Sequence, residues 1–354
     1  MKIGIIAANN IRFSPYINYY TNILDEIGVN YELVFPNRSN VKDSYAGDYK
    51  ELAWKKYKLT ALSYVEYVKK VKKVISASKY DFLVILTGNN AAFLANWLRK
   101  NYKGKYIVDI RDYTHENLIP YFWLEKIAVT NSRMNVISSS KFKDFLPKST
   151  YYTCHNVSSD VLPMSPAKAV DHINKMKLVI GYIGKGGYID QLKNLCELVK
   201  GDKRFEVHIY GLEHIPIQLQ EYAGLERFRF FGRFLPEEKT SIIQSIDILF
   251  NIYGYGMPLL DYALSNKLYD AFVYKKPILT SPNTYMSEMA GPLGFDVDFE
   301  KDVAILDRLY EWYKNQDNVE IDRYSSSILE LIKKENDDTR AKVIECVTSS
   351  LGEI

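Results

Sequence analysis

Cysteine is scarce in this chain of 354 residues, which holds only Cys154, Cys196 and Cys346, scattered without Cys-x-x-Cys spacing or a histidine partner. So few isolated thiols build neither a disulfide framework nor a zinc site, and a reducing, cytoplasmic setting is expected. Long apolar runs are missing too. No stretch approaches the roughly 20 apolar residues that a membrane-spanning helix needs. The opening run from Met1 to Ala8 is too short for a secretory core and passes directly into Asn9-Asn10-Ile11-Arg12. The turn Gly181–Gly187 has neither Gly-x-Gly-x-x-Gly spacing nor the Walker lysine-threonine pair, so it is neither a dinucleotide fingerprint nor a P-loop. No nucleic-acid-binding motif accompanies the basic clusters, so no nucleic-acid partner is expected.

What is present is an ordinary globular composition, 47% hydrophobic and 25% charged, with length enough for two α/β domains. The net charge of +3 conceals an asymmetry. Residues 1–165 carry 23 Lys and Arg against 14 Asp and Glu, whereas the remainder carries 23 against 29. Tyrosine is abundant, at 29 residues.

Two strand-opening signals stand at matching places, Lys2-Ile3-Gly4-Ile5-Ile6-Ala7 and Lys177-Leu178-Val179-Ile180-Gly181-Tyr182-Ile183-Gly184. In the first half the pattern predicts a helix over 16–27, a strand over 31–35, a basic helical region over 51–76, a strand over 82–86, a helix over 91–100, and strands at 106–109 and 136–138. In the second it predicts helices at 189–200, 217–222 and 237–245, strands at 205–210, 228–231 and 248–252, and helical segments from about 303 to the end. Alternation of this kind implies βαβ units and parallel sheets. The expected domains are 1–165, 166–325 and a helical segment 326–354.

The stretch from Ser265 to Ser281 carries the most chemistry. Ser265 or Asn266 can cap a helix whose buried stripe is Leu268, Ala271 and Phe272, and Lys275-Lys276-Pro277 ends it before a strand Ile278-Leu279-Thr280. A helix N-terminus presents unpaired N–H groups to phosphate, Lys267 adds a full charge, and Asp270 can accept bonds from a ribose diol. The run Lys267-Leu-Tyr-Asp-Ala-Phe-Val-Tyr-Lys-Lys-Pro-Ile-Leu279 resembles the donor-binding helix and turn of GT-B-fold glycosyltransferases, most closely the family-4-like enzymes of bacterial capsule and O-antigen synthesis. In that family an acidic residue on this helix holds the donor ribose, and the Lys-Pro turn aligns it with Asp270. A second acid usual in retaining members, eight residues earlier, is Tyr262 here. The resemblance implies two Rossmann-like doubly wound domains facing across a cleft.

Other segments join the constellation. Gly184-Lys185-Gly186-Gly187 follows a strand and precedes a helix, where glycines let backbone N–H groups approach a diphosphate; Lys185 and Lys267 are then the phosphate cations. Arg233 and Phe234, at the end of the strand Phe228 to Phe231, stand where the resembling enzymes grip the base. In the first half Asp109-Ile110-Arg111-Asp112-Tyr113-Thr114-His115-Glu116 concentrates charge beyond a strand, a costly place unless the groups are solvated or used. The segment is similar to the acceptor-domain Arg-Asp segment of capsule and O-antigen transferases, and Asp112, His115 and Glu116 are the candidates for taking the acceptor proton or contacting the transferred sugar. Asn9, Asn10 and Arg12 occupy the place of the family's acceptor loop, without its paired glycines. The stretch His155-Asn156-Val157-Ser158-Ser159-Asp160 resembles the family's interdomain linker entry.

Asp296-Val297-Asp298 has the form of a manganese-binding Asp-x-Asp, but it lies in a segment similar to the loop that closes the family's donor domain, and no metal or other cofactor is expected. The lysines of 54–58 and 68–74 read as a solvated helix face, with attraction to an anionic membrane surface as the functional alternative. Together these readings predict a metal-independent glycosyltransferase. A UDP-linked sugar would pass to a hydroxyl of a glycan or lipid-linked glycan, with the enzyme cytoplasmic or peripheral at the inner face of the membrane. A nucleotide-sugar epimerase and a non-catalytic sugar-nucleotide-binding subunit are the alternatives.

Overall fold

The computed structural model describes residues 1–14, 16–37, 45–54, 61–157, 175–301 and 304–351. It divides into two compact units, Met1–Asn156 with Lys334–Ile354, and Val157–Lys333.

The first unit runs β1 (Lys2–Ile6), α1 (Ile17–Glu26), β2 (Asn30–Asn37), β3 (Tyr49–Ala53), α2 (Ala61–Ser78), β4 (Phe82–Leu86), α3 (Gly88–Asn101), β5 (Tyr106–Ile110), α4 (Ile119–Asn131), β6 (Met134–Ile137) and β7 (Tyr152–Thr153). Its seven strands are parallel, in the order β3-β2-β1-β4-β5-β6-β7. The central strands read as unbroken apolar runs because helices cover both faces: every residue of β4 and β5 is buried.

The second unit holds β8 (Leu178–Ile183), α5 (Ile189–Val199), β9 (Phe205–Tyr210), β10 (Phe228–Gly232), α6 (Lys239–Ser245), β11 (Ile248–Phe250), α7 (Pro258–Tyr262), α8 (Asn266–Tyr274), β12 (Ile278–Thr280), α9 (Tyr285–Ala290), β13 (Gly294–Asp296) and α10 (Ile305–Lys314). Six parallel strands follow the order β10-β9-β8-β11-β12-β13. Each unit is thus a doubly wound Rossmann-like sheet, as the alternation implied. The last helix, α11 (Asn318–Leu351), contributes Ile321 and Ile332 to the core of the second unit and Val343 and Val347 to that of the first. The segment 326–354 is therefore divided between the two units.

Several elements differ from the expectation. The basic region over 51–76 is not one helix: Tyr49–Ala53 is a strand paired in register with Leu33–Asn37, and the helix begins at Ala61. Lys55, Lys56 and Lys58 lie outside the described residues, as do Ser158, Ser159 and Asp160. Within α2, Val71 and Ile75 are buried while Lys69 and Lys73 are exposed, the solvated lysine face that the spacing suggests. Residues 217–222 form a 3-10 helix, and Gly294–Asp296 is a strand rather than a loop. The helix α4 has no counterpart in the sequence reading, because Ile119, Phe122, Trp123, Ile127 and Val129 go round the helix and leave no 3.6-residue stripe.

One buried ion pair ties the end of β5 to the rest of the first unit. Arg111 forks onto Asp109 through Nε (2.6 Å) and Nη2 (2.7 Å), and Tyr20 donates to the same carboxylate at 2.7 Å. The remaining guanidinium nitrogen donates to the Cys154 carbonyl at 2.8 Å and to Asn156 Oδ1 at 2.9 Å. Both charged side chains are almost wholly buried, so either alone would be an uncompensated charge in the core. Arg111→Met is expected to lower the unfolding free energy in urea by about 3–5 kcal/mol, and Asp109→Leu combined with Arg111→Met to recover part of that loss. A single variant within about 1 kcal/mol of wild type contradicts this account.

Candidate functional site

In a doubly wound sheet, ligand sites form beyond the carboxyl ends of the strands where the strand order reverses. In the second unit that place lies between β8 and β11, and the loops after these strands meet the N-terminus of α8. Ser265 caps α8, its Oγ accepting from Leu268 N at 3.4 Å and donating to Asn251 Oδ1, just past β11, at 2.8 Å. At the other end Lys275 takes a left-handed conformation (φ 51°), and buried Lys276 donates to the Ile246 carbonyl at 2.6 Å. Burial lowers the Lys276 pKa to about 8, and its role is to fasten the helix end to the sheet.

The glycine loop after β8 is shaped by Tyr182, whose hydroxyl accepts from Gly186 N at 3.0 Å and donates to the Gly187 carbonyl at 3.1 Å. Gly186 has φ +96°, a conformation that favours glycine. Lys185 is exposed at the turn. Next comes Tyr188, whose ring stacks on Tyr253 at 4.2 Å and 17°. Tyr253 in turn accepts from Lys267 Nζ at 2.9 Å, and the same ammonium lies over the Tyr253 and Tyr182 rings at 5.2 and 5.8 Å. A chain of contacts thus joins Gly184–Gly187 to Lys267.

Asp270, one turn on, is only 6% exposed, and its Oδ1 accepts from Lys239 Nζ at 2.7 Å. Burial raises its pKa above the usual carboxylate value, opposed by the charges of Lys239 and then Lys267. Lys239 opens α6, 31 residues before its partner, and no local pattern announced the pair. Arg233 and Phe234 part company. The Arg233 guanidinium is exposed and engaged by Glu213, whereas Phe234 packs against the core cluster that contains Leu268 and Phe272. In the Asp-x-Asp segment, Asp296 accepts from Thr280 and Ser287 hydroxyls, both at 2.7 Å, and Asp298 accepts from the Tyr255 hydroxyl at 2.9 Å. The two carboxylates serve separate partners, and among the described residues no group of three or more His, Cys, Asp or Glu gathers as a metal site.

In the first unit the reversal falls between β1 and β4, and a cavity of about 260 Å³ opens there. Trp54, Tyr64 and Tyr67 form an aromatic wall, with Trp54 stacked on Tyr67 at 4.8 Å, while Asn9, Asn89 and Thr114 supply polar groups. Asp112 also lines the cavity; partial desolvation there raises its pKa against the charge of Arg111. Glu116 is buried instead, accepting from Thr114 N at 2.6 Å and Thr114 Oγ1 at 3.2 Å, so it reaches the cavity only through that threonine. Burial raises its pKa too, against those two bonds. His115 is exposed, off the cavity lining, with its ring edge-on to Tyr121 at 5.6 Å. Asn10 is buried and donates to Asn37 Oδ1 at 3.2 Å.

Two doubly wound Rossmann-like domains in one chain match the GT-B fold class. Solved structures of that class are similar over nearly the whole chain. Sucrose-phosphate synthase from Thermosynechococcus elongatus matches with a TM-score of 0.68 at 10% identity, covering 100% of this chain and 99% of its own. HepE from Anabaena, solved with UDP, matches with 0.66 at 10% identity over 100% of both chains. The lipopolysaccharide outer core galactosyltransferase WaaB matches with 0.63 at 15% identity, covering 96% of this chain and 99% of its own. The sequence itself matches no protein-family model and no curated protein. No helix among the described residues is long and apolar enough to cross a membrane.

Gly211 shows how closely the second crevice is built. Its φ is +95°, and a Cβ there would stand 2.6 Å from the Gly184 carbonyl oxygen. Gly211→Ala is therefore expected to cost on the order of 1–3 kcal/mol and to displace the glycine loop. Calorimetric unfolding checks the first effect, and an unchanged melting temperature contradicts it.

Proposed function

We propose that this protein is a glycosyltransferase that moves a sugar from a UDP-linked donor held by the second unit to a hydroxyl of an acceptor held in the cavity of the first. The observation that carries the reading is the linked group Gly184–Gly187, Tyr253, Lys267 and Asp270, with its positive charge at the capped end of α8. Support comes from the similar solved structures, among them HepE in complex with UDP and glucose. A putative UDP-N-acetylglucosamine 2-epimerase from Listeria monocytogenes is also similar, with a lower TM-score of 0.55.

In this reading the N–H groups at the start of α8, with Lys267 and Lys185, take the diphosphate, and the free lone pairs of Asp270 take the ribose. As the anomeric carbon–oxygen bond breaks, its electron pair leaves with UDP. The lysines and the helix end stabilise that charge without a metal ion. The acceptor hydroxyl forms the new bond, and its proton passes to a carboxylate beside the cavity, Asp112 or Glu116. Similarity to WaaB favours a glycan or lipid-linked glycan of a surface polysaccharide as acceptor. The exposed Lys69 and Lys73 of α2 favour peripheral contact with an anionic membrane.

Titration of UDP by calorimetry tests the donor half. Asp270→Ala is expected to weaken UDP affinity by roughly 10- to 100-fold, the loss of a charge-assisted bond or two. Lys267→Met should act in the same direction without disturbing the fold. Equal affinity of Asp270→Ala and wild type removes Asp270 from the ribose site.

A further inference from the structure

Glu125 on α4 is a carboxylic acid of the first unit that no sequence feature singled out. It is completely buried, and among the described residues neither of its carboxyl oxygens has a hydrogen-bond partner. Its surroundings are specific. A Cβ built on Gly88, the first residue of α3 and part of the cavity wall, would meet Glu125 Oε1 at 2.8 Å, Tyr121 OH at 3.1 Å and Thr114 Oγ1 at 3.5 Å. Three oxygens from two segments thus converge on the missing side chain of one glycine. Thr114 Oγ1 and Tyr121 OH are 3.0 Å apart, and Thr114 donates to Glu116.

The donor count then assigns roles. With its proton given to Glu116, Thr114 accepts from Tyr121 and keeps one lone pair for a hydroxyl in the cavity. We propose that Thr114 relays the acceptor proton to Glu116, and that Glu125, buried behind Gly88 beside Tyr121 and Thr114, is the positioning residue at the back of that relay. This rests on the transferase reading and names the group that acts in it. The balance is simple: the acceptor O–H breaks as its oxygen bonds the anomeric carbon, the proton goes to Thr114 Oγ1, and the threonine proton goes to Glu116.

Among the described residues, the groups facing Glu125 are Glu116 and Thr114 from the loop after β5, Tyr121 on its own helix and Tyr151 ahead of β7, while α3 brings the Gly88 backbone. None is a cation. Burial, and then the charge of Glu116, raise the Glu125 pKa to about 8, so below that pH Glu125 holds its proton. Above that pH Glu125 would become a second buried negative charge behind the relay, which disrupts it.

The test uses the full chain and three variants. Wild-type transfer is expected to lose about tenfold in kcat per pH unit above roughly pH 8, and Glu125→Gln, a neutral isostere, to lack that alkaline fall. Thr114→Val should cost on the order of 100-fold in kcat with little change in KM, and Thr114→Ser should recover part of it. A readout without turnover accompanies these. Because the native state holds a proton that the unfolded chain releases near pH 4, wild-type melting temperature should fall between about pH 4 and pH 8. Glu125→Gln should fall less, becoming the more stable protein at pH 8. An alkaline limb that is the same in Glu125→Gln and wild type, with UDP bound normally, overturns the assignment while leaving the transferase reading intact. Failure of wild-type protein to bind UDP overturns both.

Discussion

Parallel strands impose the constraint on which the rest depends. When every strand of a sheet runs the same way, every carboxyl end lies on one edge, and the loops that follow are gathered there whatever their separation in sequence. Both sheets obey this, with order reversals between β1 and β4 and between β8 and β11. That is why Asn9, Thr87, Asp112 and Thr114 line one cavity although more than 100 residues separate the first from the last. The same logic brings Gly186, Tyr253 and Lys267 into one chain of contacts.

The fold was legible where a residue's local job is also its structural job. Ser265 caps α8, Lys275 and Pro277 end it, and the buried stripe of Leu268, Ala271 and Phe272 is where the period of 3.6 places it. Strands buried on both faces were equally plain, since a run such as Phe82–Leu86 has one reading. What was hidden lacked a local signature. The helix α4 is apolar on too many sides to show a face, and β13 is three residues long. Nothing local marks Lys239, which α6 brings to Asp270. Glu125 sits among apolar neighbours in a helix without periodicity, so nothing in the sequence separated it from a solvated glutamate. His115, whose type and place suggested chemistry, is turned outward, because the loop spends its inward positions on Thr114 and Glu116.

The two units handle charge in opposite ways. Beneath the cavity of the first, Asp109 is neutralised by a forked arginine, while Glu116 depends on the Thr114 amide and hydroxyl and Glu125 is buried with its proton. In the second, Asp270 is buried but Lys239 reaches it and Lys267 lies close enough to lower its pKa. A buried carboxyl without a cation, as Glu125 is, holds its proton to higher pH. A carboxyl with one stays ionised and suits accepting hydroxyl hydrogen bonds.

That difference makes the Lys239–Asp270 pair more than a tether. Burial alone would drive Asp270 toward the neutral acid, which offers fewer acceptor sites to a diol. The ammonium at 2.7 Å opposes that shift and takes Oδ1, and among the described residues no hydrogen bond is made to Oδ2. Lys239 is itself partly exposed, so it carries a modest desolvation cost for the work. The lysine thus orients the acid and keeps its charge in advance of any ligand, which removes a reorganisation step from binding.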